Sequence, residues 1–276
     1  MVLDSLRLDG PPRRVAIITG GSRGLGKAMA IALAEAGADI CIASRTVSQL
    51  ESAAAEIEAA CGRKPLIVPT NVQKSADCDA LVTRTVEHFG RLDIMMNNAG
   101  IGDRRGAGSR ITDLEDADWH DTIEVNLHST FYCSRAAARQ LLKQGEGGVI
   151  VNVASGTALR SSPQSLGYAA AKAGVISLTK STAASLVGEN IRVNCIIPGF
   201  VAQQPPQSEE EAERLKQRGR FNTVRRLGEA WELGPLAVFL CSDASSYVTG
   251  EVFVIDGGGL AGGIAPTGYT LEVANA

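Results

Sequence analysis

The residues best placed to do chemistry are Tyr168 and Lys172, in the stretch Gly167-Tyr168-Ala169-Ala170-Ala171-Lys172. Their four-residue spacing sets them one above the other on a single helix face. A free phenol titrates at about 10 and is a poor proton donor or acceptor at neutral pH. An ammonium held beside it favours the phenolate and brings its titration towards the working range of general acid–base catalysis. Taken alone, a YxxxK pair more often means a packed ring beside a solvated charge. Its meaning depends on the elements that position it.

Those elements follow from the hydrophobic pattern. Residues 14–19 (RVAIIT) make a short β-branched run ending in glycines, 28–36 carry a small-residue helical pattern, and 39–44 (DICIAS) form the next strand. Helical stretches near 46–61, 73–89, 113–143, 165–188 and 229–242 then alternate with apolar runs at 65–69, 92–96, 148–154, 191–196 and 252–255. Alternating units with continuously apolar strands predict an α/β fold, a parallel sheet with helices on both faces. Seven strands fit a single-domain, doubly wound Rossmann sheet, which binds ligands outside the carboxyl ends of its strands. Residues 1–276 read as one domain with a core over about 13–258 and a tail over 259–276. The polar, proline-interrupted run at 203–220 (QQPPQSEEEAERLKQRGR) reads as a mobile substrate loop spanning about 201–226.

Composition narrows the partners. With 27 Lys and Arg against 30 Asp and Glu, the net charge of −3 gives no reason to expect nucleic acid or an anionic membrane. The charged, proline-containing start and the lack of a membrane-length apolar run point to a cytoplasmic protein. The six cysteines contain no CxxC pair and read as reduced, mostly buried thiols. His88, His120 and His128 lack metal-ligand spacing, so no metal is expected. Cys195 reads as core packing and His128 as a helix-surface or interface residue.

Between the first strand and first helix lies Thr19-Gly20-Gly21-Ser22-Arg23-Gly24-Leu25-Gly26, a TGxxxGxG turn. Glycines there let backbone approach a pyrophosphate, and the helix N-terminus offers free N–H groups to it. Further along stand Asn97-Asn98-Ala99-Gly100 after the fourth strand, Asn126, Ser155 thirteen residues before Tyr168, and Pro198-Gly199 after the sixth strand. In this ordered set the chain resembles the short-chain dehydrogenase/reductase family over roughly residues 13–258.

The resemblance implies an oxidoreductase moving hydride between a nicotinamide cofactor and a carbonyl/secondary alcohol pair. Tyr168 is then the acid/base, and Ser155 binds the same substrate oxygen, so both form the substrate contact. Lys172 tunes the phenol and holds the nicotinamide ribose, and Asn126 holds a water in a proton relay to the lysine. The cofactor contacts implied are Gly20, Ser22, Arg23, Gly24, Leu25 and Gly26 in the turn, with Asn71 and Val72 on the adenine side. Asn98, Ala99 and Gly100 lie along the ribose, and Pro198, Gly199 and Val201 border the nicotinamide. Gln203 departs from the Thr or Ser usual in the family. The resemblance also implies a homotetramer or homodimer, tetramers forming through the two longest helices, near 113–143 and 165–188. A catalytically silent NADP(H)-binding regulatory or scaffold protein on the same fold is the alternative, although such a protein is expected to lack part of the tetrad.

Two further expectations come from charge. An NAD site carries an acid about 20 residues beyond the glycine turn, at the end of the second strand. Here Ser44 and Arg45 stand there and Arg23 adds a second cation, so NADP(H) is expected in preference to NAD(H). Family members that reduce carrier-linked ketones dock the acidic carrier on basic residues at places matched here by Gly145 and Glu189. Arg104, Arg105 and Arg110 follow Gly100, and a small free anionic or polar ketone is the substrate expected.

Overall fold

The computed structural model describes residues 3–102, 110–160, 165–220 and 222–261. Seven strands form one parallel sheet: β1 (Val15–Thr19), β2 (Asp39–Ser44), β3 (Leu66–Pro69), β4 (Ile94–Asn97), β5 (Gly148–Val153), β6 (Ile191–Pro198) and β7 (Val252–Ile255). The helices are α1 (Gly24–Glu35), α2 (Val47–Cys61), α3 (Ser75–Phe89), α4 (Asp116–Ile123), α5 (Ser129–Gln144), α6 (Leu166–Ser185), α7 (Glu209–Gly219) and α8 (Gly234–Cys241). The strand order is β3-β2-β1-β4-β5-β6-β7. The chain winds outward from β1 to β3, returns to β4 and winds the other way. That reversal opens a crevice at the carboxyl ends of β1 and β4.

The strands are apolar throughout because both faces are covered. Along β1, Ala16 and Ile18 join the side chains of α1, α2 and α8 such as Leu33, Leu50 and Leu240. Ile17 joins those of α3 and α5, including Leu81 and Leu141. Met95 divides from Ile94 and Met96 on β4 in the same way. The packed interior reaches upstream to Leu8, fully buried, whose N–H donates to the Ala36 carbonyl at 2.8 Å. All six cysteines are free thiols, and all but Cys61 are buried. Among the described residues no helix is long and apolar enough to cross a membrane.

Two segments differ from the sequence expectation. The single helix expected over 113–143 is α4 and α5 joined through a π turn at Glu124–His128. Asn126 sits in this turn with its Nδ2 donating to the Thr122 carbonyl at 2.9 Å, and the widened turn closes through Ser129 N–H to Glu124 O. Within the polar run at 203–220 lies α7, capped by Ser208, whose Oγ accepts the Glu211 N–H. Glu209–Glu211 in its first turn and Lys216 and Arg218 in its last match the helix dipole.

A buried polar ladder fixes α5 and α6 to the sheet. Asn97 on β4 donates to Ser134 Oγ of α5 and to Asn152 Oδ1 of β5, each at 2.8 Å, and Asn152 donates to Thr179 Oγ1 of α6 at 2.9 Å. Asn97 and Asn152 are register partners across β4 and β5. Each buried polar group left unpaired costs about 1–3 kcal/mol. Asn152→Ala should therefore lower the urea midpoint by an amount worth at least that, with an unchanged m-value, as equilibrium unfolding will measure.

Candidate active site

A cavity of ≈ 310 Å³ opens at the crevice. Its lining brings together Gly20, Ser22, Arg23, Leu25, Ser44, Arg45, Asn71, Val72, Asn98, Ala99, Gly100, Ser155, Tyr168, Lys172, Pro198 and Gly199, all sequence-derived candidates. Gln203, the departure from the family pattern, lines it as well.

At the deep end, α6 presents Tyr168 and Lys172 against the end of β5. Lys172 is 3% exposed, its Nζ donates to the Val153 carbonyl at 2.8 Å, and it sits 5.7 Å from the Tyr168 ring centroid. Burial brings its titration down from 10.5 to about 8. The neighbouring Cys195 thiol is pushed up to about 11, also by burial, and stays neutral. Among the described residues no Asp or Glu lines the cavity, so no carboxylate there neutralises the ammonium. A phenol beside such a cation can exchange a proton with a bound oxygen.

Ser155 follows β5 and caps a short turn at Gly156–Ala158. Its Oγ accepts from the Thr157 N–H at 3.3 Å and from Thr157 Oγ1 at 3.0 Å. With both lone pairs used, its own hydrogen is directed elsewhere and can serve a ligand oxygen. Thr157 was absent from the sequence candidates, since only the turn brings its hydroxyl onto Ser155.

Asn126 is fully buried, with Nδ2 donating to the Ile101 carbonyl at 2.8 Å and Oδ1 accepting the Ile101 N–H at 3.1 Å. It grips the segment after Gly100 from below and does not line the cavity. Gly100 lets these groups converge: a Cβ there would lie 2.7 Å from Asn126 Oδ1 and 3.4 Å from Lys172 Nζ.

The other end of the cavity suits a dinucleotide on its own chemistry. A Cβ at Gly26 would stand 2.3 Å from the Gly20 carbonyl, so only glycine lets α1 start this close to β1. Asn98 Nδ2 donates to the Thr19 carbonyl at 3.1 Å, tying the turn to β4, and Thr19 Oγ1 accepts the N–H groups of Asn98 and Ala99. Two helices begin here, α1 after Arg23 and α2 after Thr46, and neither has an acid in its first turn. Ser44 Oγ is buried without a hydrogen-bond partner among the described residues. Arg23 and Arg45, both exposed, form no ion pair among the described residues and flank that oxygen's end of the cavity. An orphaned hydroxyl, two cations, two helix N-termini and no carboxylate fit a ligand bearing several phosphates.

Not every candidate converges. Gly24 and Gly26 shape the turn without lining the cavity, and Val201 packs onto the core while pairing with Gly228 in a two-residue strand. Arg110 is exposed and outside the lining, and Arg104 and Arg105 lie outside the described residues. Gly145 and Glu189 sit beside the amino ends of β5 and β6, where the Gly148 N–H meets the Asn190 carbonyl. This corrects their placement at the site entrance: they lie about 17 Å away, one length of β5, so the missing base at 145 and the acid at 189 say nothing of what enters this chain's cavity. Thr46, Gln49 and Gln73 line the end of the cavity beside Ser44 and Asn71 and escaped the sequence reading, which weighed only glycines, charges and Asn71 there.

Comparison with known proteins places the chain among relatives of similar length and fold. Residues 20–259 match a family model described as enoyl-(acyl carrier protein) reductase. The chain is 36% identical over 268 residues to the 2-dehydro-3-deoxy-D-gluconate 5-dehydrogenase of Escherichia coli, covering 95% of this chain and 100% of that one. It is 35% identical to the 3-oxoacyl-[acyl-carrier-protein] reductase of Thermotoga maritima, covering 92% and 99%. The solved NADPH-dependent 3-quinuclidinone reductase of Rhodotorula rubra superposes with a TM-score of 0.83 at 32% identity, covering 95% of each chain. The chain belongs to the short-chain dehydrogenase/reductase family, oxidoreductases that act on carbonyl and alcohol groups with a nicotinamide cofactor.

Proposed function

We propose that the protein is an NADP(H)-dependent ketone reductase in which Tyr168 passes the proton to the substrate oxygen. The observation that carries this reading is the meeting of Ser155, Tyr168 and a buried, carboxylate-free Lys172 in one cavity whose other end bears Ser44, Arg45 and Arg23. The cofactor, when bound, supplies or receives the hydride. Ser155 directs its hydroxyl hydrogen at the substrate oxygen and steadies the charge that develops there. Tyr168 gives that oxygen its proton in reduction and takes it back in oxidation. Lys172, held by the Val153 carbonyl, keeps a positive charge beside the phenol and favours its ionised form. Asn126 holds the Ile101 segment that closes the cavity above Lys172. Ser44, Arg45 and Arg23 take the 2′-phosphate that distinguishes NADP(H).

The substrate carries a ketone or secondary alcohol, and relatives named for a small free sugar acid and for a carrier-linked acyl chain match nearly equally, at 36% and 35% identity. The anionic free substrate therefore stands on the arginines after Gly100. Exposed Trp119 on α4 and Phe131 on α5 support assembly through these helices.

Three outcomes follow. Tyr168→Phe should lower kcat by at least about 10² while leaving the calorimetric affinity for NADPH within a few-fold of the wild type. Retention of a tenth of the wild-type kcat would remove Tyr168 from its role.

Arg45→Ala should cost about 10- to 100-fold in kcat/KM with NADPH, as expected for losing a charge-assisted bond, with little change for NADH. Wild-type turnover as fast with NADH as with NADPH would overturn the cofactor assignment.

The third outcome concerns the depressed titration of Lys172, which falls from 10.5 to about 8 on folding. Between those values the unfolded chain binds the proton and the folded one does not, so wild-type stability from this group rises with pH. It is lowest below about 8, where both states are charged and the burial cost is complete. Lys172→Met carries no such term. Its urea midpoint relative to wild type should therefore fall steadily as pH goes from about 8 to about 10.5, and a constant difference would show that Lys172 is not desolvated.

A further inference from the structure

Ser155 is held by its neighbour but one. Its backbone is extended, with φ −160 and ψ 152, so it continues the line of β5, and the preceding Ala154 N–H donates to the Ile196 carbonyl at 2.9 Å. Directly after it the chain tightens into the Gly156–Ala158 turn, closed by the Ala158 N–H on the Ser155 carbonyl at 3.0 Å. Gly156 opens this turn beside the end of β6, where a Cβ would lie 3.9 Å from the Pro198 carbonyl. The turn brings Thr157 back over Ser155, and both its N–H and its hydroxyl reach the same Oγ, at 3.3 Å and 3.0 Å. The first contact is what a capping serine ordinarily makes. The second is not needed to close the turn.

Ser155 lines the cavity, whereas Thr157 is half-buried and does not. The Thr157 hydroxyl therefore acts on a ligand only through Ser155, and among the described residues it bonds to nothing else. Its β-branched side chain is stiff at χ1, so the hydroxyl is aimed before anything binds. A ketone oxygen has lone pairs and no hydrogen, so Ser155 has to donate to it. Ser155 Oγ then keeps two lone pairs. The Thr157 N–H takes one, and the Thr157 hydroxyl has to donate to the other. A bound ketone thus permits a single arrangement, running from Thr157 to Ser155 to substrate. Each donor in such a chain polarises the next. The gain is greatest where the last oxygen is most negative, in the transition state for hydride arrival.

We propose that Thr157 is a positioning residue for the reaction: it presets Ser155 as a donor and strengthens that donor as the substrate oxygen becomes negative. This role rests on the reductase reading above, and the test separates the two.

The full chain is assayed with ethyl acetoacetate, acetoacetyl-coenzyme A, 3-quinuclidinone and 9,10-phenanthrenequinone, each with NADPH and with NADH, and the fastest pair is followed. Thr157→Val keeps the shape and removes the hydroxyl. It should lower kcat about tenfold with KM changed less than about twofold, as for one hydrogen bond felt mainly in the transition state. Thr157→Ala, which adds no apolar bulk, should match it, and Thr157→Ser should recover kcat to within about threefold of wild type. In a Ser155→Ala background Thr157→Val should change kcat less than about twofold, because the chain is already cut. A merely structural role would give equal losses in both backgrounds. That result, wild-type kcat in Thr157→Val, or a loss that Thr157→Ser does not recover overturns the positioning role alone. A wild type that reduces none of the four ketones with either cofactor overturns the reductase reading and this role with it.

Discussion

A lysine ammonium 3% exposed to solvent is the constraint around which much of this molecule is arranged. Water is withdrawn from Lys172, and the hydrogen bond to the Val153 carbonyl returns only part of what hydration gave. The charge must therefore be held by structure that cannot relax away from it. The helix carrying it buries a stripe of mostly small residues, Gly167, Ala171, Val175 and Ala183, that lets it come close. A Cβ on Gly174 would lie 2.9 Å from the Leu127 side chain in the π turn, so α6 presses directly on the element that carries Asn126. One turn beyond Val175, Thr179 closes the polar ladder through Asn152 to Asn97 and Ser134. Strand ends, helix and π turn thus share one task, fixing a cation beside a phenol while Cys195 stays neutral beneath it.

The opposite end of the cavity solves a complementary problem with backbone instead of side chains. The turns after β1 and β2 each lead into a helix start beside the crevice, with Asn98 holding the first turn through the Thr19 and Gly20 carbonyls. Two charged side chains stand exposed at the edge, whereas at the other end Lys172 is buried and Ser155 and Tyr168 are half-buried. One buried cation and two exposed ones are divided between the two ends of one sheet edge.

What could be read in the sequence is what depends on local pattern. The strand–glycine turn–helix unit, the seven apolar runs and the Tyr168–Lys172 spacing are short-range signals, and the sheet order and the cavity lining agree with them. Helix α7 was also legible in principle, through Ser208 followed by Glu211 and the charge order along it, but two prolines and the high polarity suggested a loop. The π turn was not legible. It carries an Asn126 side chain bonded to the backbone of Ile101, twenty-five residues away, and no periodicity records that. Thr157 was hidden for the same reason, as was the placement of Gly145 and Glu189 at the far end of β5 and β6.

The burial of Leu8 has a practical consequence for handling the protein. Its N–H is bonded to Ala36, at the end of α1 and beside the amino end of β2. Polypeptide joined upstream therefore emerges on the side of the sheet away from the cavity, and an affinity handle or fluorescent domain placed there stays clear of ligand traffic. Downstream the situation is reversed. The chain leaves β7 through Asp256 and the glycine turn against Thr223 and Val224, so cargo attached shortly after Leu260 would press on the contacts that hold residues 222–224 in place. Leu8 and Leu260 are therefore not equivalent points of attachment, and immobilisation through the upstream side is the orientation that leaves the cavity clear.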